Sequence, residues 1–405
     1  MSSDPISYTC TCPASTNGGS ILLFYRYFAN DPVLPQSPPS QHNSPQDSVN
    51  PQLSQDPESL ATFHRTLASR LNIAGKFRLS HEGFNITLGG PTSSITQYIA
   101  ACTTHWSFAG LDLSTDEQVA RFFKPTPGCA CAFGQVLSVR VTSEITPLGI
   151  TNYSPADWSC VTPLRPREFH EMCRRGDVRV VDVRNHYESR IGYFVTGKGE
   201  SAVRPGVRRF SQWPGYVARH VLGDEGWSGR EGVLTYCTGG VRCEKGARWM
   251  AEVMQRERDV PVYTLDGGIV AYQAWVKGEV EAGRMRGEES LFKGRNYVFD
   301  GRGAIGEGEG KAVAVCQGCG VGDDRLGKCI GVGCHLVLVV CEECDGNGGV
   351  FCCDDCREVD AETEKGKGRR ICACEREREK SLWGDGGARL GALQRRKKTK
   401  THVNR

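Results

Sequence analysis

Cys237 follows the apolar run Gly232–Tyr236 and opens the stretch Cys237-Thr238-Gly239-Gly240-Val241-Arg242, after which Cys243–Glu257 reads as a helix. A cysteine at the end of a buried strand, followed by a glycine-containing loop and then a helix, is the arrangement of an anion cradle. Loop N–H groups converge on one point, and the helix N-terminus adds positive potential. Both favour thiolate over thiol and so lower the cysteine pKa. Gly239 and Gly240 permit the positive φ that such a turn needs, and Arg242 is placed to pair with a substrate oxyanion. The bland alternative, a cysteine buried only for packing, leaves the glycine pair and the arginine without a reason. Cys243 is a candidate resolving cysteine that would close a disulfide on Cys237, or it simply faces away at the start of its helix.

A second group of thiols lies further on. The pairs Cys316/Cys319, Cys341/Cys344 and Cys353/Cys356 have C-x2-C spacing, with Cys329, Cys334 and Cys352 between them. Such a pair sets two thiolates on one tight turn, and two pairs complete a tetrahedral metal site. The three pairs with Cys329 and Cys334 supply eight thiolates, enough for two closed zinc sites. The paired spacing is that of zinc ribbons, which favours zinc over an iron–sulfur cluster. Spacing leaves the ligand pairing open.

These residues need elements to position them. Residues 21–28 read as a strand. Residues 31–58 carry Pro, Ser, Gln, Asn and Asp with almost no large apolar residue, the composition of a disordered insertion. Leu60, Phe63, Leu67 and Leu71 recur at helical spacing. Two strands around a His81-Glu82-Gly83 turn, a helix over Ile95–Thr104 and a strand over Gln135–Ile145 follow. That order suits a ferredoxin-like α+β domain over 20–150, after a flexible N-terminus over 1–19. From about 160 the strands Val178–Val183, Gly232–Tyr236 and Pro261–Leu265 alternate with helices, which predicts a parallel sheet over 151–300. A Cys-rich segment spans 301–360. The remainder, 361–405, is charged and poor in apolar residues, and a disordered tail is expected there.

Composition narrows the class. A chain of 405 residues, 39% hydrophobic and 24% charged, has material for two or three buried cores. The net charge of +3 does not by itself imply a nucleic-acid partner, although Arg395, Arg396, Lys397, Lys398 and Lys400 form a basic cluster. No apolar run approaches the roughly 20 residues of a spanning helix, and no secretory leader is evident at the N-terminus. Of the 20 cysteines, eleven lie at Cys316 or later. Clustering after a large domain favours metal in a reducing compartment over a disulfide scaffold. The expectation is a cytoplasmic protein, with an organelle or the nucleus as alternatives.

The stretches VVDVRNHYE, YCTGGVRCEKGARWM and LDGGI resemble the rhodanese active-site domain. The loop has the C-x4-R form of rhodaneses. Dual-specificity phosphatases have one residue more, which speaks for sulfur chemistry over phosphate hydrolysis. With ILLFYRYF, HEGFNITLGG, LSVRVTSEITPLGI and YVFDGR, the chain resembles the rhodanese-domain tRNA uridine hydroxylases and the eukaryotic thiosulfate sulfurtransferase-like proteins that share their layout. The resemblance covers roughly residues 20–356, apart from the insertion. It implies an acylphosphatase- or ferredoxin-like α+β domain, then an α/β rhodanese domain with helices on both faces of a parallel sheet. It also implies 5-hydroxyuridine formation at the tRNA wobble position using oxygen, with Cys237 essential. Asp182, Arg184 and Glu188 then hold the active-site surroundings through ion pairs, and Arg78, Lys124 and Arg140 are candidates for an RNA groove. The insertion, Pro125–Cys131 and the His81–Asn85 turn depart from the family pattern. Two other readings stand beside it: a sulfurtransferase using thiosulfate or another small sulfur donor, and a zinc-containing RNA- or protein-binding scaffold with an inert rhodanese fold. The intact Cys237 and Arg242 weigh against the last.

Overall fold

The computed structural model describes residues 18–28, 56–150, 152–222, 229–255, 260–306, 312–331, 334, 336–363, 372 and 376. The N-terminal stretch expected to be flexible, most of the expected insertion and most of the charged tail lie outside these residues.

The first unit is built on β1 (Gly19–Tyr27), whose side chains alternate between two environments. Leu22 and Phe24 enter an apolar core with Leu60, Phe77, Phe84, Ile86 and Phe123. Leu23 and Tyr25 face the other way, as the period of two in a strand requires. Helix α1 (Pro57–Arg70) starts inside the predicted insertion, because Asp56 caps it by accepting from Ser59 N at 3.0 Å and Pro57 opens its first turn. Strands β2 (Ala74–Ser80) and β3 (Gly83–Pro91) form the expected hairpin, followed by α2 (Thr92–Thr103). Helix α3 (Asp116–Phe123) begins with a Thr115/Gln118 capping box.

The four-strand order of the first unit is completed differently from the expectation. The place beside β1 is taken by β4, only Thr126–Pro127, in the stretch that departs from the family pattern. The predicted last strand, β5 (Leu137–Val141), pairs in parallel with β2 on the opposite edge. The sheet order is β4-β1-β3-β2-β5. Helices α1, α2 and α3 cover one face. The other face, which carries Leu23, Tyr25, Lys76, Arg78, Asn85 and Thr87, points at the second unit.

The second unit has a parallel sheet of β6 (Val161–Leu164), β7 (Val178–Asp182), β9 (Gly232–Tyr236) and β10 (Val262–Leu265), in the order β6-β10-β9-β7. Strand β8 (Gly192–Phe194) lies apart, paired with β11 (Phe292–Gly294). Every residue of β9 is buried, because helices pack on both sheet faces. Val233 and Cys237 belong to the core beneath α6 (Val241–Met254). Leu234 and Tyr236 belong to the core shared with α4 (Pro166–Arg175) and α7 (Gly268–Glu281). Strand β6 escaped the sequence reading because Pro163 interrupts it; its position at a sheet edge is where proline is tolerated.

The third unit follows the short pair β12 (Asn296–Tyr297) and β13 (Ala304–Ile305). It is a hairpin of β14 (Leu326–Lys328) and β15 (Val337–Val339), with α8 (Asp354–Thr363) after it. Leu326 and Val339 pack with Ile191, Tyr187 and Tyr297, so this unit rests on α5 (His186–Arg190) of the second. Among the described residues no helix is long and apolar enough to cross a membrane.

Candidate active site

Cys237 sits at the carboxyl end of β9 and is fully buried from solvent. Gly240 N–H donates to its sulfur at 3.1 Å. Burial alone would push the thiol pKa up. The Cys243 thiol, the Arg242 guanidinium and the amides of Cys243 and Arg242 outweigh burial and hold it down at about 5. Cys243 is buried behind the loop. Burial and the neighbouring Cys237 charge raise its own pKa well above the ordinary value, so it stays a thiol and donates to Cys237. It therefore faces Cys237 instead of turning away.

The two loop glycines serve different ends. Gly240 has φ +104°, the positive value the cradle needs. A side chain there would also strike the Tyr25 hydroxyl, at 2.6 Å from a Cβ. Gly239 does not adopt a positive φ; a Cβ on it would meet Leu23 at 2.7 Å. Both residues let the sheet of the first unit close over the loop. Gly268 does the same from behind, where a Cβ would lie 2.6 Å from Cys237 O. Its absence lets Ile269 N–H and Val270 N–H at the start of α7 hold the carbonyls of Cys237 and Thr238.

Arg242 is not free for a substrate oxyanion, contrary to the sequence expectation. Its guanidinium makes a two-pronged pair with Glu188, at 2.6 and 2.7 Å, and donates to Thr238 Oγ1 at 3.1 Å. The Glu188 carboxylate, from α5, claims it because both groups are buried and each needs a counter-charge. Burial pushes the Glu188 carboxyl up, but Arg242 outweighs this and keeps it below the usual carboxylate range. Thr238 Oγ1 donates to the same carboxylate at 3.1 Å. Asp182 and Arg184 form a second buried pair behind it, with Arg184 also reaching Gly192 O at 2.6 Å.

The mouth of the cradle is shared by all three parts of the chain around it. Cys237, Thr238, Gly239, Val241 and Arg242 line a cavity of about 380 Å³ whose floor is the open sheet face of the first unit. Phe299, Asp300 and Arg302 close another side. Arg302 is tied to Asp300 and donates to Pro127 O at 3.0 Å, while Lys76 donates to Phe299 O at 2.8 Å. Arg78 and Arg209 stand exposed at the rim. Arg78 lies beside Arg140 across the β2–β5 register. Lys124, also expected in an RNA groove, is instead buried, its ammonium 5.4 Å from the Tyr25 ring centre.

The docking of the first unit uses residues whose partners the sequence did not reveal. Tyr25 donates to Glu244 at 2.9 Å, and Glu244 pairs with Arg248. Tyr27 donates to Val241 O at 3.2 Å. Lys245 is buried between Glu82, at 2.8 Å, and Glu144, at 2.6 Å. Arg121 of α3 pairs with Asp266 in the turn before α7. The signal was present: both HEG and CEK lie in quoted motifs, and opposite charges in two motifs invite pairing. Nothing local in the sequence marked Arg209.

The sulfurs of the third unit form compact sets. Cys316, Cys319, Cys341 and Cys344 lie within 4.8 Å of one another, as do Cys329, Cys334, Cys352 and Cys356. Cys353, expected among the eight ligands, lies outside both sets of four, and Cys352 stands in the second. Cys352 is set against this group by its backbone N–H, which donates to Cys329 Sγ at 3.3 Å, and by its sulfur, 3.9 Å from that of Cys334. Backbone N–H groups of Gly318 and Cys344 point at the first set, and those of Gly331 and Cys352 at the second. A Cβ on Gly331 would lie 2.5 Å from Cys356 Sγ. Four thiols, amide donors to sulfur and glycines where a side chain would intrude fit a tetrahedral thiophilic ion.

A model described as "UPF0176 acylphosphatase like domain" matches residues 52–145, and one described as "Rhodanase C-terminal" matches residues 293–357. A tRNA uridine(34) hydroxylase of Bacillus pumilus (strain SAFR-032) is 29% identical, over 75% of this chain and 84% of its own length. One of Bacillus mycoides (strain KBAB4) is 28% identical, over 75% and 85%. Rhodanese-like domain-containing protein 6 of Arabidopsis thaliana is 28% identical, over 75% of this chain and 51% of its own length. Fold and cradle loop have the form of a rhodanese-type domain, and the comparisons show similarity to rhodanese-domain tRNA-modifying enzymes. The layout matched is an acylphosphatase-like first unit followed, beyond the rhodanese-type sheet, by a Cys-rich rhodanese C-terminal unit.

Proposed function

We propose that the chain modifies the wobble uridine of tRNA, forming 5-hydroxyuridine through the Cys237 thiolate. The observation that carries this reading is the cavity of about 380 Å³ above Cys237, walled by the first unit's sheet and the 298–305 segment as well as by the loop. A cavity of a few hundred Å³ takes a ligand of nucleoside size. A small inorganic sulfur donor needs no such wall. A single base turned out of its stack fits a cavity of that size over the sulfur, and Arg78 and Arg209 stand at its rim, where flanking phosphates would pass. The relatives named tRNA uridine(34) hydroxylase support the same substrate.

The thiolate acts as the nucleophile toward the pyrimidine ring. Insertion of one oxygen atom from dioxygen takes up two further electrons. Cys237 and Cys243 can supply them by closing a disulfide: uridine, dioxygen and two thiols give 5-hydroxyuridine, water and one disulfide. The facing thiols of the two residues support this role for Cys243. Without added thiol the native reduced chain is expected to complete one turnover and a Cys243→Ser variant none, read by rapid-quench assay. A full single turnover in that variant would rule the disulfide out.

Because the Cys237 pKa is depressed, the reactive form is present above about 5 and lost as the pH falls through it. The kcat/KM profile is therefore level through neutrality and drops about tenfold per pH unit on the acid side. A rise through the ordinary thiol range above neutrality contradicts the cradle.

Arg78→Ala and Arg209→Ala are each expected to weaken tRNA binding several-fold. Each lowers the slope of log affinity against log salt by about one. An unchanged salt slope in both removes the rim from the binding path. The two closed thiol sets are read as zinc sites that hold the third unit against α5, and so hold Glu188 in place. Elemental analysis of reduced full-length protein is expected to find no fewer than about two zinc ions per chain.

A further inference from the structure

The second thiol set does not end at four sulfurs. Cys372 is buried at 3% exposure and sets its sulfur 3.4 Å from that of Cys352. Cys353 Sγ lies 3.9 Å from the same atom. Cys352, Cys353 and Cys372 all fall within 4.8 Å of one another, so Cys352 belongs to two sets at once. It also stands 3.9 Å from Cys334.

Two thiolates bound to one tetrahedral zinc at about 2.3 Å stand roughly 3.8 Å apart. The observed separations fall on either side of that value. The segment around Cys372 is charged, with Arg369, Arg370, Glu375 and Arg376 as near neighbours in sequence. Apolar burial gives such a segment little reason to bring a thiol into a cluster of sulfurs. The contacts that hold it are the Arg376–Asp355 pair at 3.6 Å and Arg376 N–H to Cys372 O at 2.9 Å, which fix it beside α8.

We propose that Cys352 bridges two metal ions. One is held by Cys329, Cys334, Cys352 and Cys356. The other is held by Cys352, Cys353 and Cys372, with its fourth position open to water or to an exogenous thiol. A thiolate sulfur keeps lone pairs after binding one ion and can bind a second. Charge favours the arrangement: six thiolates with two divalent ions carry the same net charge as four thiolates with one. The ion is a soft divalent cation, for which zinc is the fitting class. This rests on reading the two closed sets as metal sites, and adds to them a third ion with one position left unfilled by the chain.

The test uses full-length protein purified under reducing conditions, loaded with zinc for counting and with cadmium-113 for NMR. About three ions per chain are expected. Cys353→Ser and Cys372→Ser should each lose one ion, and Cys160→Ser, remote from the cluster, should lose none. The cadmium spectrum should show three resonances, two of them mutually coupled through the shared sulfur. Two ions in the unaltered chain, or three without mutual coupling, overturns the bridge while leaving the closed sites standing. No bound metal overturns both. If a variant does not fold, the coupling in the unaltered chain decides.

Discussion

Replacing Cys237 with serine is expected to take turnover to background, a loss of at least about a thousandfold, while the protein remains folded. The cradle is built for an anion. Gly240 N–H, the amides of Arg242 and Cys243 and the Cys243 thiol converge on the sulfur, and the charge of Arg242, held on Glu188, favours the thiolate from nearby. A serine hydroxyl stays protonated at that point and offers no comparable nucleophile. The fold is expected to tolerate the change, because serine is close in volume and can still accept from Gly240 N–H. A cost of about 1–2 kcal/mol is the range for such a buried change. Single-turnover assays on tRNA and a thermal melt check the two halves separately. A folded Cys237→Ser protein with native turnover would move the chemistry elsewhere in the cavity.

Glu188→Ala is expected to damage both stability and activity. Removing this carboxylate leaves the Arg242 charge buried without a partner, which costs about 3–5 kcal/mol when one half of a buried pair is removed. It also takes away the nearer acceptor of Thr238 Oγ1, leaving Tyr297 O at 3.4 Å. The loop that holds Cys237 then loses two of its closures at once. Glu188→Gln keeps the shape and removes the charge, so its Tm should fall less while the Cys237 pH profile still shifts. The pH dependence follows in sign. Glu188 has a depressed pKa in the folded state, so its contribution is present above the ordinary carboxylate pKa and is lost as the pH falls through the depressed one. Denaturant titrations of both variants at neutral and acid pH measure this. A Glu188→Ala protein as stable as the parent contradicts the assignment of the pair.

The parts of the site that could be read from the sequence are those whose chemistry is local. The strand–Cys–Gly-Gly–Arg–helix run placed the cradle, and the Asp182, Arg184 and Glu188 pattern placed its ion pairs. The parts that could not be read depend on what crosses between units. Arg242 looked free because its partner lies on another element. Gly239 looked like a turn glycine, yet its role is to admit Leu23. Lys124 looked like surface and is covered by Tyr25. In the fold, the long alternating strands were legible, while β4 has two residues and β6 contains a proline, too little pattern to register. Among the thiols, C-x2-C spacing pointed to Cys353, whereas the set of four around Cys329 takes Cys352, whose N–H reaches the Cys329 sulfur. Spacing along the chain does not show which of two adjacent cysteines faces a cluster.

The central claim is that Cys237 modifies the wobble uridine, and nucleoside mass spectrometry of tRNA tests it most directly. The comparison is between a strain lacking this protein and the same strain given back the native chain or Cys237→Ser. The account predicts that 5-hydroxyuridine made by this enzyme is lost in the deletion, restored by the native chain and not restored by the variant. Unchanged wobble uridines in the deletion strain, or full restoration by Cys237→Ser, would contradict it.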